Sequence, residues 1–273
     1  MAKRRTLRAI KPSAALAAVY KKKLLRLVDD MQRSVVWWIR AAYRKREAQI
    51  TQDAGPARSL AQELESVMRD WQRDYDAAAK RIARWFVSAA ARHVGYSAEA
   101  AFKAAKLNRL MTVNFKYMSR TERDVIQSLI IENVNLITSI PRHYLTEVQG
   151  IVQRSVQTGR DVGGMVDELH ERYGITRRRA ITIANDQNNK ATENLARERM
   201  KSLGITEGVW QHNPIGKTYR TTHEDMDGKI FSLSEGMYDP DPEVERYIQP
   251  AELVNCHCTF KPVIPDFSKG SEE

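Results

Sequence analysis

The chain has 273 residues, is 42% hydrophobic and 29% charged, and carries a formal net charge of +10 with two cysteines. That balance fits a globular chain of one large or two modest domains, and no uncharged apolar run approaches the roughly eighteen residues of a membrane span. The charge is uneven: residues 1–50 hold 14 Lys and Arg against 3 Asp and Glu, whereas residues 206–273 hold 6 against 13, so the two ends suit different partners.

Residues 1–12 read as a basic flexible arm. Lys3, Arg4, Arg5 and Arg8, with Lys21, Lys22 and Lys23 beyond it, are the candidate contacts to an acidic surface or to double-stranded DNA, which such residues bind without sequence preference through counterion release. The competing reading is a solvated face. Lys21-Lys22-Lys23 also interrupts any signal-type apolar block.

Residues 13–158 read as a helical region. A long helix runs from about Ser13 to Ala48, with Leu24, Val28, Met31, Val35, Trp38 and Ala42 at the 4,3,4,3,4 spacing of a helix-packing seam and Trp37 beside it. Gly55-Pro56 breaks the pattern. A second helix carries Leu60, Leu64, Val67, Trp71, Tyr75, Ala78, Ile82, Trp85 and Ala89 on one face, and the two form an antiparallel hairpin. The tryptophans Trp37, Trp38, Trp71 and Trp85 read as core or partner-helix anchors. Gly95 is expected to end the second helix and Ser97 to start a short one. Ser119-Arg120-Thr121-Glu122 is a capping box that opens a helix expected to kink or stop at Pro141.

Residues 159–265 read as a separate domain, followed by a disordered tail, 266–273. A small helix from Gly159-Arg160-Asp161 is expected to close at Gly174. Thr176 then caps a helix to about Leu203, terminated by Gly204. Arg177-Arg178-Arg179 would sit at that helix's positive end, a misplacement that hints at an anionic partner, although a solvated basic face is the favoured reading. Short β-type runs follow at Gly208–Gln211, Lys217–Thr222, Lys229–Leu233 and Cys258–Val263, separated by turn residues. The fold class is therefore mostly α with a small α+β C-terminal domain: a long N-terminal helical hairpin, then short antiparallel strands.

Chemistry-bearing residues gather in the last seventy. His223, Cys256, His257 and Cys258, with His212 nearby, are zinc-type ligands, although Cys-x-Cys is a poor chelating spacing. In an extended segment Cys256 and Cys258 share one face and His257 takes the other. Beside Phe260 the cysteines read first as small buried apolar residues, with no cofactor required; if a metal binds, zinc at His223, Cys256 and Cys258 is the set. The two cysteines offer no disulfide framework, which suits a reducing compartment. His223, Asp225 and Asp227 resemble a nuclease or calcium-loop fragment, but Asp227-Gly228 is more simply a hairpin turn joining Tyr219–His223 to Lys229–Leu233. Arg220 is placed to hold a carboxylate of the acidic loop 239–245. No phosphate-binding glycine loop, nucleophile elbow or paired-carboxylate motif is present, so no catalytic residue is assigned.

The ordered series Trp210, Arg220, His223, Asp227-Gly228, Pro250, Asn255-Cys256-His257-Cys258 resembles the head-morphogenesis domain of the phage Mu F-like and SPP1 gp7-like minor head proteins. Two positions depart from that pattern: His257 stands where the family has an arginine, and Asn185-Asp186-Gln187 where it has an Arg-Thr-Glu-like step. The resemblance implies a non-enzymatic minor head protein at the portal vertex of the virion, present in the host cytoplasm during assembly. It implies a role in procapsid assembly and in packaging or delivery of DNA, with portal, capsid and scaffold proteins as partners. Trp37 is the expected portal contact. The alternatives are a metal-dependent nuclease on His223, Asp225 and Asp227, and a helical DNA-binding scaffold protein.

Overall fold

A computed structural model describes residues 4–47, 55–107, 113–115, 117–157, 162–215 and 219–265. Four long helices, α1 (Ala14–Glu47), α2 (Gly55–Ala104), α3 (Arg120–Gln157) and α4 (Val162–Ser202), precede a compact block. That block is formed by β1 (Glu207–Gln211), α5 (Thr221–Asp225), β2 (Ile230–Ser232), β3 (Met237–Asp239), β4 (Arg246–Ile248) and β5 (Thr259–Pro262). The mostly helical class with short C-terminal antiparallel strands is as expected. Two compact units are present, residues 18–84 with 130–184, and residues 1–17 with 85–129 and 185–273.

The first unit is a bundle of segments from all four helices. Polar pairs give its directions. The Trp71 indole N–H donates to Ser34 Oγ at 3.0 Å, and Tyr75 lies near Asp29 and Asp30, so α2 ascends as α1 descends: the expected antiparallel hairpin. Tyr20 Oη donates to Asn133 at 2.8 Å and Tyr144 Oη to Gln32, which sets α3 parallel to α1. Arg179–Ser139, Arg172–Glu147 and Arg154–Glu168 set α4 antiparallel to α3. The buried face of α1 is Tyr20, Leu24, Val28, Met31, Val35, Ile39 and Ala42.

The seam therefore passes through Ile39, and Trp38 is only half-buried. A 3.6-residue helix drifts off a strict heptad, and one step of four in place of three follows it. Trp37, read with the other tryptophans as a core or partner-helix anchor, is 67% exposed. On α2, Leu64, Tyr75 and Ala78 are buried as expected, but Ala79 and Ala83 replace Ile82. Leu60 lies among residues whose side chains are outside the described set.

Three residues expected to end a helix, or at Pro141 to kink or end it, lie inside helices that continue past them. Gly95 lies inside α2, Pro141 inside α3 and Gly174 inside α4. A helical glycine costs only about 1 kcal/mol, and Val94 and Ala98 bury the turn around Gly95. Pro141 is flanked by buried Ile137, Ile140 and Tyr144, so packing on both sides holds α3 together. Thr176 is no cap; its Oγ1 donates to the Arg172 carbonyl one turn back, at 2.9 Å. Arg177 is consequently in mid-helix, paired with Asp29 and lying over the Tyr173 ring at 5.5 Å. The expected start at 159–161 and the tail 266–273 lie outside the described residues.

The second unit packs the C-terminal part of α2, through Phe86, Val87, Ala90, Val94, Ala98 and Phe102, with the last turns of α4 and the β-block. Ser119 and Glu122 form the expected capping box, with Ser119 N–H donating to Glu122 Oε2 at 2.7 Å and Glu122 N–H to Ser119 Oγ at 3.1 Å. Gly204, at φ +80°, ends α4 as expected. The sheet has the order β2-β1-β5, antiparallel throughout, with Val209 opposite Ile230 and Trp210 opposite Phe260. Gly208 is required in β1, because a Cβ there would stand 2.9 Å from the Phe260 ring.

The N-terminal arm, expected to be flexible, is pinned on the outer edge of β5. Leu7 N–H donates to the Pro262 carbonyl at 2.8 Å, Ile264 N–H donates to the Arg5 carbonyl at 2.9 Å, and Leu7 and Ile10 are buried. Backbone pairing and two apolar anchors outweigh the arm's charge. Of the expected strand Lys217–Thr222, residues 217 and 218 lie outside the described residues and 219–222 form no strand: Thr221–Asp225 is a short helix, and β2 pairs with β1. Asp227-Gly228 remains a turn, with Gly228 at φ +76°. The acidic loop holds a strand pair, β3–β4, with Tyr238 opposite Tyr247.

Candidate functional site

The β-block is built around Trp210. Its position in β1 turns it inward, with no exposed surface, against Phe231 at 5.4 Å and His223 at 5.7 Å, both edge to face. The first turn of α5 carries His223 into this interior, although its neighbours Glu224 and Asp225 are exposed. A turn with Asn255 at φ +59° precedes Cys256. The segment then runs extended into β5, and both sulfurs face inward as the period-2 argument requires.

His223, Cys256 and Cys258 are buried, and one ligand atom from each lies within 4.8 Å of the others. His223 Nδ1 is 3.4 Å from Cys256 Sγ and 3.5 Å from Cys258 Sγ. On the other side of the ring, Nε2 meets Asp239 Oδ2 at 3.2 Å, and Asp239 has no exposed surface. His212, just past β1, places Nδ1 3.6 Å from Cys258 Sγ. Its backbone N–H donates to Asp227 Oδ1 at 2.8 Å. His257 takes the opposite face, its Nδ1 2.8 Å from the Asn189 amide on α4. The group opens onto a cleft of about 340 Å³ lined also by Tyr219, Arg220 and Asp241.

The electrostatics of the pair are asymmetric. A hydrogen bond from Cys258, aided by His223, holds the Cys256 thiol below its ordinary value against the opposing effect of burial. The same bond and burial push Cys258 up. Behind them Glu193 of α4 is buried. Burial raises its pKa well above the usual carboxylate value, the charge of Cys256 adds to this, and Arg197 opposes it. Burial thus favours the protonated form of Glu193.

Sequence reasoning selects His223, Cys256 and Cys258, and those three converge. Asp225 and Asp227 do not join His223; both are exposed. Among the described residues the metal-type donor group is the Cys–His one. Arg220 donates to the Val254 carbonyl at 3.4 Å and not to a carboxylate of the acidic loop. Asp239 and Glu193 escape a reading of the sequence, since neither lies in a motif; a buried Asp can be recognised only once β3 is placed against α5. The family-motif residues Trp210, Pro250, Cys256 and Cys258 are buried, whereas Asn255 is exposed and its N–H is held by Asp186 Oδ1 at 2.8 Å. Both positions that depart from the family pattern, the 185–187 step and residue 257, thus belong to one junction between α4 and the cysteine loop.

Residues 146–261 match the family model described as Phage Mu protein F like protein. The chain is also 29% identical over 142 residues to an uncharacterized protein of Haemophilus influenzae. That alignment covers 51% of this chain and 29% of the relative, so the chain spans well under half the length of that protein. No solved structure matches.

Proposed function

Taking residues 146–261 as a Phage Mu F-like segment, we propose that this is a minor head protein of the portal vertex, acting in procapsid assembly and in packaging or delivery of DNA. The family match carries the reading. It covers most of α4 and the β-block, and the motif series falls on buried or structurally committed residues of that block. A phage head protein works among other head proteins, and the proposed ones are portal, capsid and scaffold. Its place would be the virion, and none of the described helices is long and apolar enough to cross a membrane.

The docking element proposed for the portal is α1 around Trp37. An indole with two thirds of its surface exposed, between Arg33 and Arg40, offers an aromatic anchor within a basic surround, the composition of an interface hot spot. The competing surface is the β3–β4 pair, where Tyr238 and Tyr247 meet edge to face at 5.6 Å and are both exposed.

The test is co-purification with a phage portal protein. Trp37→Ala should weaken association by about 2 kcal/mol, roughly thirtyfold, with helix content unchanged. Unchanged association for Trp37→Ala, together with loss for Tyr238→Ala/Tyr247→Ala, would move the contact to the β-block. Absence of the protein from purified heads would reject the head-protein reading.

A further inference from the structure

We propose that Cys256 Sγ, Cys258 Sγ, His223 Nδ1 and His212 Nδ1 form a tetrahedral zinc site that ties the C-terminal block together. The donors are the soft sulfur and imidazole set that zinc takes in closed structural sites. His223, Cys256 and Cys258 place their donor atoms within 4.8 Å of one another, and His212 joins them through Cys258. Zinc–sulfur bonds of about 2.3 Å and zinc–nitrogen bonds of about 2.0–2.1 Å put sulfur and nitrogen about 3.5 Å apart on a tetrahedron. The three nitrogen–sulfur separations are 3.4, 3.5 and 3.6 Å. Hydrogen bonds to sulfur have similar lengths, so the distances alone do not choose the ion; the surroundings do.

The first of these is Asp239. A fully buried carboxylate on His223 Nε2 fixes the proton there and leaves the Nδ1 lone pair facing both sulfurs. This is the carboxylate–histidine arrangement that orients a zinc ligand. The second is His212, whose ring makes its hydrogen-bonding contact through Nδ1, 3.6 Å from Cys258 Sγ. The third is charge. Two thiolates and one zinc ion sum to zero, which suits a buried site. The fourth is architecture. The block's strands are three to five residues long, and its elements meet at this point: β1 through His212, α5 through His223, β5 through the cysteines and β3 through Asp239. Cys-x-Cys works here because the extended backbone aims both sulfurs the same way, with His257 on the other face held by Asn189.

The full chain, expressed without added metal, should contain one zinc per molecule by mass-spectrometric metal analysis. Cobalt added to chelator-stripped protein should give the intense visible bands of a tetrahedral ion with a thiolate charge-transfer band. Cys256→Ser and Cys258→Ser should lose the zinc. His212→Ala should bind it more weakly. Asp239→Asn, which removes no ligand, should lower affinity roughly 10- to 100-fold. The proposal is overturned by folded wild-type protein that retains no zinc after dialysis against it, or by an octahedral cobalt spectrum. Undiminished zinc in folded Cys256→Ser/Cys258→Ser protein would overturn it equally.

Discussion

Arg199 and Glu122 form a buried ion pair whose removal has a calculable cost. Arg199 Nε donates to Glu122 Oε1 at 2.9 Å, with side-chain exposures of 8% and 5%. Arg199 Nη1 also donates to the Tyr117 carbonyl at 2.7 Å, and Glu122 Oε2 accepts the Ser119 N–H that opens α3. Arg199→Met leaves the carboxylate buried with only its capping bond, which should cost about 3–5 kcal/mol. Arg199→Lys keeps the charge but cannot serve both acceptors, and should lose about 1–2 kcal/mol. Glu122→Gln/Arg199→Met removes both charges and keeps an acceptor for Ser119, so it should recover most of the loss; desolvation then no longer opposes folding. Because two compact units are present, a single unfolding midpoint need not describe the chain. Hydrogen exchange of amides in 120–129 and 185–202, read beside urea unfolding, isolates the affected unit. If Arg199→Met costs less than about 1 kcal/mol, or if the double variant falls as far as the sum of its single changes, the pair is not the determinant argued here.

Glu193→Gln should stabilise the protein relative to wild type by an amount that grows with pH. The folded pKa of Glu193 is raised by burial, so above the unfolded value of about 4.5 the unfolded chain releases a proton the folded chain keeps. The native state therefore loses up to about 1.4 kcal/mol per pH unit until the folded value is reached. A stability difference between the two proteins that stays flat from acid to neutral pH would show that Glu193 is ionised in the fold. On the basic side, Lys21→Glu/Lys22→Glu should lower affinity for non-specific duplex DNA and flatten its salt dependence by about one unit of slope for each phosphate no longer neutralised. Equal salt slopes for variant and wild type by fluorescence anisotropy would remove these residues from any DNA interface.

The helices are legible because each has a long apolar stripe, and the places where the reading fails share one cause. Gly95, Pro141, Thr176 and Gly174 read as punctuation from local propensity, yet each lies in a helix whose faces are buried on both sides of it. Propensities of about 1 kcal/mol for glycine, or about 3 kcal/mol for proline, yield to several buried side chains worth about 1.5–3 kcal/mol each. The capping box at Ser119 and the stop at Gly204 read correctly because they coincide with real ends of apolar stripes. Strands follow the same logic. Gly208–Gln211 alternates cleanly, while residues 219–222 bury none of their side chains fully, and Thr221 and Thr222 open α5, which brings His223 inside.

The candidate site is legible to the extent that its geometry is local. Period-2 alternation suffices to put Cys256 and Cys258 on one face and His257 on the other, and that is how they stand. What closes the group around them comes from residues far apart in the chain: Asp239 on β3, 16 residues from His223, and His212 at the end of β1, 46 residues from Cys258. The His212–Cys258 pairing exists only after the sheet order β2-β1-β5 has brought β1 beside β5, and the His223–Asp239 pairing only once β3 lies against α5; no motif encodes either. The family departures follow the same rule. Residue 257 and the 185–187 step are far apart in sequence, and each looks like an isolated loss of a charged side chain. In the fold, Asp186 holds the Asn255 backbone and Asn189 holds His257, so both departures meet at the junction between α4 and the loop that aims the cysteines.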